Sequence, residues 1–273
     1  MSLEYSCPLC SNLLIKTANM LRCENNHSFD FAKEGYVNLL PVQQKNSKQP
    51  GDSLEMVQAR RAFLERNYYA FLQHELGQII SNIAANNIID LGCGEGFYTQ
   101  ALASNTQATV YGVDISKAAV KYAAKRYSNC YFSVASISQA PFKSYFADVL
   151  VSVFAPLFTQ ELARLAKPGS TLVVASPGPQ HLKELKEYIY SSVNEHTQIE
   201  VPAMFTQTSQ TLITEQVTLN FSDVKNLIMM TPFAWKFRPE HWLALEEKGE
   251  HNVTLSFYIT QFTRDKSIAV AHI

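Results

Sequence analysis

The chain has 273 residues, 47% of them apolar and 17% charged, with a formal net charge of −1. A disordered chain needs few apolar residues and a large net charge, so disorder is excluded, and at ~100–200 residues per domain the length fits one large domain with an appendage or two domains. The near-zero charge also removes the general basic field by which many nucleic-acid binders announce themselves.

No apolar run approaches the ~20 residues of a membrane span. The start, Met1-Ser2-Leu3-Glu4-Tyr5, has neither a basic end nor an apolar stretch. The expectation is a cytoplasmic protein with no membrane partner and no signal peptide. Its five cysteines are then expected as free thiols, because that compartment keeps thiols reduced.

Three of the five cysteines fall in the first 23 residues. Cys7-Pro8-Leu9-Cys10 is followed by twelve residues and then Cys23-Glu24-Asn25-Asn26-His27. Two short chelating turns, C-x2-C and C-x3-H, offer the four thiolate and imidazole ligands of a tetrahedral zinc site. Four ligands close the coordination sphere, which makes the metal structural. A module this small buries too little apolar surface to fold alone, and a metal would supply the missing stability.

Residues 42–50 carry Lys45 and Lys48, no acid and four amides, and read as an exposed loop. Such side chains suit phosphate and base edges, though a solvated loop has the same composition. Asp52-x-x-Glu55 has capping-box spacing, so a helix is expected from Asp52 or Ser53, with Met56, Ala59 or Arg60, and Phe63 at helical intervals. Arg60, Arg61 and Arg66 stand on or near it, as a phosphate-facing patch or as the solvated side of a connector.

Ile88-Ile89-Asp90-Leu91 reads as a short buried strand, and Gly92-Cys93-Gly94-Glu95-Gly96 follows at once, holding three of the chain's ten glycines. A helix is expected over 97–103. Strand, glycine turn and helix let a backbone approach a nucleotide-like ligand closely. The spacing is G-x-G-x-G rather than the G-x-G-x-x-G of pyrophosphate binders, and Asp90 would repel a pyrophosphate but face a sulfonium or an ammonium. The next strand ends in Asp114, eighteen residues past Gly96, where an acid accepts hydrogen bonds from ribose hydroxyls. This pattern resembles the Rossmann-like methyltransferases that use S-adenosylmethionine. A NAD enzyme or a structural turn is the alternative.

A helix over 116–127 capped by Ser116, strands over 131–135, 148–153 and 170–175, and helix-length spacers give the βαβ rhythm of a parallel sheet. A helix is expected over about 180–193, then two strands, 215–221 and 253–262, whose alternation fits an antiparallel end. The expected fold class is α/β, a Rossmann-like sheet plus a small amino-terminal zinc module. Its divisions are 1–40 for the module, 41–80 for the loop and connector helices, and 81–273 for the catalytic domain.

The zinc spacing, Ala32-Lys33-Glu34-Gly35-Tyr36-Val37-Asn38-Leu39-Leu40-Pro41, Gly51-Asp52-Ser53 with residues 56–64, the stretch 90–96, and Pro177-Gly178-Pro179-Gln180-His181-Leu182 together resemble the RlmA family of 23S ribosomal RNA guanine-N1 methyltransferases. The resemblance is clear from Tyr5 to about Tyr190 and loose beyond. It implies S-adenosylmethionine as cofactor, held by Tyr69, the 92–96 loop, Asp114 and His181. It also implies zinc on Cys7, Cys10, Cys23 and His27, in a module that helps recognise a 23S rRNA hairpin. Read from the residues alone, Tyr69 fits a core aromatic as well as a ligand contact, and His181 fits a surface histidine.

Phe154-Ala155-Pro156 stands where exocyclic-amine methyltransferases carry an N/D-P-P-Y-like motif, and its departure counts against adenine N6 or cytosine N4 as target. Phe154 stacks on a flipped base or simply packs. No Asp or Glu is identified as a general base. The aromatic segment 229–242 fits a homodimer contact, a lid or core. A small-molecule methyltransferase and a non-catalytic RNA-binding protein on the same fold are the rival functions.

Overall fold

The computed structural model describes residues 3–44, 51 and 53–266. Lys45, Lys48 and Asp52, singled out above, lie outside the described residues. The amino-terminal module holds β1 (Ile15–Thr17), β2 (Met20–Arg22) and β3 (Ser28–Asp30) in an antiparallel sheet of that order. β4 (Val37–Asn38) leaves that sheet for a larger one.

Two helices follow, α1 (Leu54–Leu64) and α2 (Ala70–Ser81). α1 starts where expected; the Asp52–Glu55 box involves a residue outside the described ones, and Ser53 is the cap: the Ser53 hydroxyl accepts from the Met56 N–H at 3.2 Å, filling one of the orphan donors of a helix start. Alternating strands and helices come next: β5 (Asn87–Leu91), α3 (Phe97–Ser104), β6 (Thr109–Asp114), α4 (Lys117–Arg126), β7 (Tyr131–Val134), β8 (Ala147–Val153), α5 (Thr159–Leu165) and β9 (Ala166–Pro177). Ser116 caps α4 as expected, accepting from the Ala119 N–H. The chain ends with α6 (Lys183–Lys186), β10 (Phe205–Asn220), α7 (Phe221–Met229), α8 (Pro239–Lys248) and β11 (Glu250–Arg264).

The large sheet has the order β10-β11-β9-β8-β5-β6-β7-β4. From β9 to β4 every pairing is parallel, and the two pairings beyond β9 are antiparallel. Strand order reverses at β5, with β6 on one side and β8 on the other. In such sheets the crevice for ligands opens at the carboxyl ends of the strands at that switch point. Apolar side chains of α1, α2, α3 and α7 cover one face. The other is covered by α5 together with Leu3, Tyr5, Leu14 and Leu21 of the zinc module, which join Tyr111, Phe142 and Phe146 in one core.

Three expectations are corrected. Helix over 180–193 is confined to Lys183–Lys186; Leu182 enters it with φ +57°, Lys186 Nζ is drawn to the His181 carbonyl and His196, and the serines and β-branched residues beyond have weak helix propensity. Phe221 opens α7 rather than closing a strand, because the Asn220 side chain accepts from the Asp223 N–H and caps the helix. The connection from β7 to β8 has no helix; Pro141 and the Ser136–Ser138 hydroxyl contact favour turns there.

Candidate active site and metal centre

The four metal-ligand candidates meet as the spacing required. Cys7 Sγ and Cys23 Sγ each lie 3.5 Å from His27 Nδ1, and Cys10 Sγ lies 3.7 Å from Cys23 Sγ. All four ligand atoms fall within 4.8 Å of one another. A tetrahedron with Zn–S of about 2.3 Å and Zn–N of about 2.0–2.1 Å has edges of ~3.5–3.8 Å, and the three separations of 3.5, 3.5 and 3.7 Å match them, so the donor set fits zinc. Four protein ligands complete the sphere, which makes the ion structural.

At the carboxyl ends of β5, β6, β8 and β9 lies a cavity of about 650 Å³, within the range of small-molecule and cofactor sites. Gly92, Cys93, Gly94 and Glu95 form part of its wall, with Asp114 beside them. The loop is turned back onto β6 by bonds from the Gly92 and Cys93 N–H groups to the Val113 carbonyl, at 2.8 and 3.1 Å. Gly92 has φ +83°, and a Cβ there would meet the Ala155 Cβ at 2.5 Å. Asp114 stitches the loop to its own strand end: Oδ2 accepts from the Gly94 N–H at 2.9 Å and Oδ1 from the Ser116 N–H at 2.7 Å.

Asp90 is set back from the cavity wall, buried under the loop. Its Oδ2 accepts from the Thr99 hydroxyl at 2.6 Å while Oδ1 has no partner. Burial pushes its carboxyl up to about 7, the Thr99 hydroxyl opposing and the Asp114 charge adding. Glu95 is also pushed up to about 7 by burial, against the pull of Arg126, and its Oε1 is unpartnered.

Tyr69 and His181, which sequence alone left ambiguous, both line the cavity and are both buried. Tyr69 stands at the N-cap position of α2, without a side-chain cap bond, and meets Phe63 and Phe257 edge-on at 5.2 and 5.0 Å. The His181 ring lies 4.7 Å from Phe257 and 6.5 Å from Phe154, nearly parallel to the latter. His181 Nδ1 accepts from the Ser256 N–H at 3.3 Å, which leaves the proton on Nε2. Burial, with Lys186 and His196 adding, pushes its imidazole down to about 3.

Phe154 follows β8 with φ +57° and its ring 43% exposed on the cavity wall. A left-handed backbone at a non-glycine residue costs on the order of 1–3 kcal/mol and is held in place by surrounding structure; here the Phe154 N–H donates to the Ala175 carbonyl at 3.0 Å.

Several wall residues carry no signal in the sequence. Lys186 and His196 lie on the wall near His181. Lys186 Nζ is 2.7 Å from the His181 carbonyl and 2.5 Å from His196 Nε2. Lysine on a short helix gives no sequence signal for burial, and His196 sits in a stretch without periodicity. Of the three arginines considered on or near α1, Arg60 points into the cavity and donates to the Met230 carbonyl. Arg61 pairs with Glu65 and Arg66 with Asp223. The 229–242 segment divides: Met230 and Phe233 line the cavity, Phe237 is buried against Trp242, and Trp235 is 79% exposed. Among the described residues no helix is long and apolar enough to cross a membrane.

Comparison with known proteins agrees with this geometry. Residues 5–48 match the family described as RlmA, N-terminal, and residues 84–245 match a methyltransferase domain family. A 23S rRNA (guanine(748)-N(1))-methyltransferase of Streptomyces fradiae is 31% identical over 93% of this chain and 94% of its own. The Bacillus subtilis (strain 168) protein YxjB, to which 23S rRNA guanine-N1 methylation is provisionally assigned, is 28% identical over 92% of this chain and 94% of its own. Among solved structures, the YcgJ protein of Bacillus subtilis aligns with 70% of this chain and 98% of its own at 17% identity and a TM-score of 0.47. With a zinc cluster and a methyltransferase sheet in one chain, and a relative of this identity matched along nearly its whole length, the protein belongs to the RlmA family of S-adenosylmethionine-dependent methyltransferases.

Proposed function

We propose that this protein methylates N1 of a guanine in 23S ribosomal RNA, with its zinc module helping to hold the hairpin that carries the base. The observation that carries this reading is the union of two sites in one body: the Cys3His cluster and the switch-point cavity share a sheet through β4 and a core through Tyr5. A small-molecule methyltransferase has no need of the first. Acting on ribosomal RNA, such an enzyme works in the cytoplasm.

S-adenosylmethionine, when bound, supplies an electrophilic methyl group on a sulfonium. Asp114, at the end of β6, would hold the ribose hydroxyls, and the open backbone at Gly94, where nothing approaches a Cβ position closer than 4.0 Å, would let the cofactor lie against the loop. Glu95 borders the same surface. Asp90 acts from beneath, holding the first turn of α3 through Thr99. Tyr69 and the His181 Nε2–H, both on the cavity wall, would border the bound cofactor. Phe154, on the part of the cavity formed by β8 and β9, gives the extracted guanine a stacking face.

The test is methyl transfer from labelled S-adenosylmethionine to protein-free 23S rRNA lacking the modification, with the product mapped by mass spectrometry. One N1-methylguanine within one hairpin is the expected result. Transfer to small molecules but not to RNA would overturn the proposal.

A further inference from the structure

Guanine N1 carries a proton at neutral pH and is a poor nucleophile until that proton leaves. A group that takes it must reach the acceptor part of the cavity and present a lone pair. Among the described residues of the wall, Arg60 is permanently charged, Asp114 and Glu95 belong to the glycine-loop side, which the cofactor would cover, and burial raises Cys93, Tyr69 and Tyr98 so that they keep their protons. His181 has its Nδ1 occupied by the Ser256 N–H and so offers a donor, not a lone pair.

Lys186 and His196 remain, beside His181 on the wall. Around Lys186 Nζ the structure places the His181 carbonyl oxygen, an acceptor, at 2.7 Å, and His196 Nε2, an acceptor in the Nδ1–H tautomer, at 2.5 Å. A neutral amine has two N–H bonds and one lone pair. With His196 in that tautomer, a neutral amine spends its two N–H bonds on the two acceptors and keeps its lone pair unspent, and Lys186 lines the cavity.

We propose that the Lys186 amine is the base that removes the N1 proton of the guanine, and that His196 is the residue positioning it. The N1–H bond breaks and its proton becomes the third N–H of an ammonium at Lys186. The freed N1 lone pair forms the bond to the methyl carbon as the sulfur–carbon bond breaks, its electron pair staying on sulfur. Lys186 afterwards returns the proton to water. Burial lowers the Lys186 pKa from its ordinary value, favouring the neutral amine. The titratable groups facing it are His181 and His196, themselves shifted toward the neutral form by burial. Glu184 of the same helix is turned to β11, accepting from the Thr254 hydroxyl and N–H.

This inference rests on the guanine-N1 reading, and the experiment separates the two. Single-turnover rates on unmodified 23S rRNA are followed against pH, with cofactor affinity measured by calorimetry. Wild type is expected to rise tenfold per pH unit and then level, because the neutral amine is the active form. Lys186→Arg, which keeps the charge but cannot give up its proton, and Lys186→Ala are expected to lose about 10²–10⁴-fold with cofactor affinity intact. Added propylamine is expected to restore part of the Lys186→Ala activity. His196→Ala should displace the pH break, and His196→Gln, which retains an acceptor, should return it.

In the cofactor-free protein, the Lys186 Cε resonance should titrate below those of the other lysines. A Lys186→Arg enzyme within tenfold of wild type, or a Lys186 resonance titrating with the rest, overturns the base assignment alone. A wild type that makes no N1-methylguanine overturns both readings.

Discussion

Gly92 and Gly94 stand two positions apart in one loop, and an alanine at each meets a different obstacle. At Gly92, φ is +83° and the new Cβ would sit 2.5 Å from the Ala155 Cβ, so loop and β8 turn must separate. At Gly94, φ is +53° and the nearest atom is the Arg60 Nη1 at 4.0 Å, so the added methyl enters the cavity with little but backbone strain. Gly92→Ala is therefore expected to lower stability by several kcal/mol, as overpacking and strain add. Gly94→Ala should cost about 1–2 kcal/mol of stability while weakening S-adenosylmethionine binding at least tenfold. Thermal unfolding and calorimetric titration separate the two effects; equal stability losses would contradict this assignment of obstacles. Asp90 makes a pH prediction. Its folded-state pKa, raised from 3.8 to about 7, means that the folded protein holds this proton more tightly than the unfolded chain does. The associated stability is present in full below the unfolded value and is lost as pH rises through about 7. Asp90→Asn has no such proton to lose, so the variant's melting temperature relative to wild type should climb between pH 5 and pH 8 in cofactor-free protein. Parallel curves would mean that Asp90 is ionised throughout.

At the scale of elements, α1 shows how a local signal fixes a distant feature. Ser53 sets where the helix begins, and its start determines which residue of the helix turns toward the cavity. That residue is Arg60, held against the Met230 carbonyl after α7 while α1 packs on α7 and α4. Ser53→Ala should cost about 1 kcal/mol and Ser53→Asp almost nothing, measured by denaturant unfolding; an equal loss in both would place the cap elsewhere. Elements with such signals are legible in the sequence alone: α1 and α4 through their capping serines, β5 and β6 through buried apolar runs ending in acids, the metal centre through two chelating turns. The first half of β10 is not, because Phe205–Asn220 is an edge strand of exposed threonines and glutamines whose only instruction is its pairing with β11. Residues 180–193 mislead for a related reason. Their conformation is set by Lys186 reaching His181 and His196, contacts that no periodicity reports. The glycine-loop side of the cavity is thus written in short motifs, and the side of Lys186 and His196 in contacts of folded structure.

At the scale of the whole molecule, the zinc module is less an appendage than the composition suggests. β4 extends the catalytic sheet beside β7. The Leu39 N–H donates to the Val134 carbonyl at 2.9 Å and the Ser6 N–H to the Pro141 carbonyl at 2.8 Å. Tyr5 is wholly buried, edge-on to Tyr111 at 5.4 Å and tilted against Phe142 at 5.2 Å. Aromatic pairs of this kind are worth ~0.5–1.5 kcal/mol beyond their buried area, and Tyr111 is on β6, the strand that ends in Asp114. The module's own sheet has only three-residue strands, and modules this small draw their folding free energy from a bound metal. Loss of zinc therefore removes part of the covering of the methyltransferase sheet, not just an RNA contact. Cys23→Ser, or chelation of the native protein, is expected to lower the temperature of one cooperative unfolding transition and to weaken S-adenosylmethionine binding a few-fold through the β6–β7 edge, while abolishing methylation of RNA. Differential scanning calorimetry with a cofactor titration decides it. A second, unshifted transition with unchanged cofactor affinity would mean that the module folds and fails alone, and that its contribution is confined to the substrate.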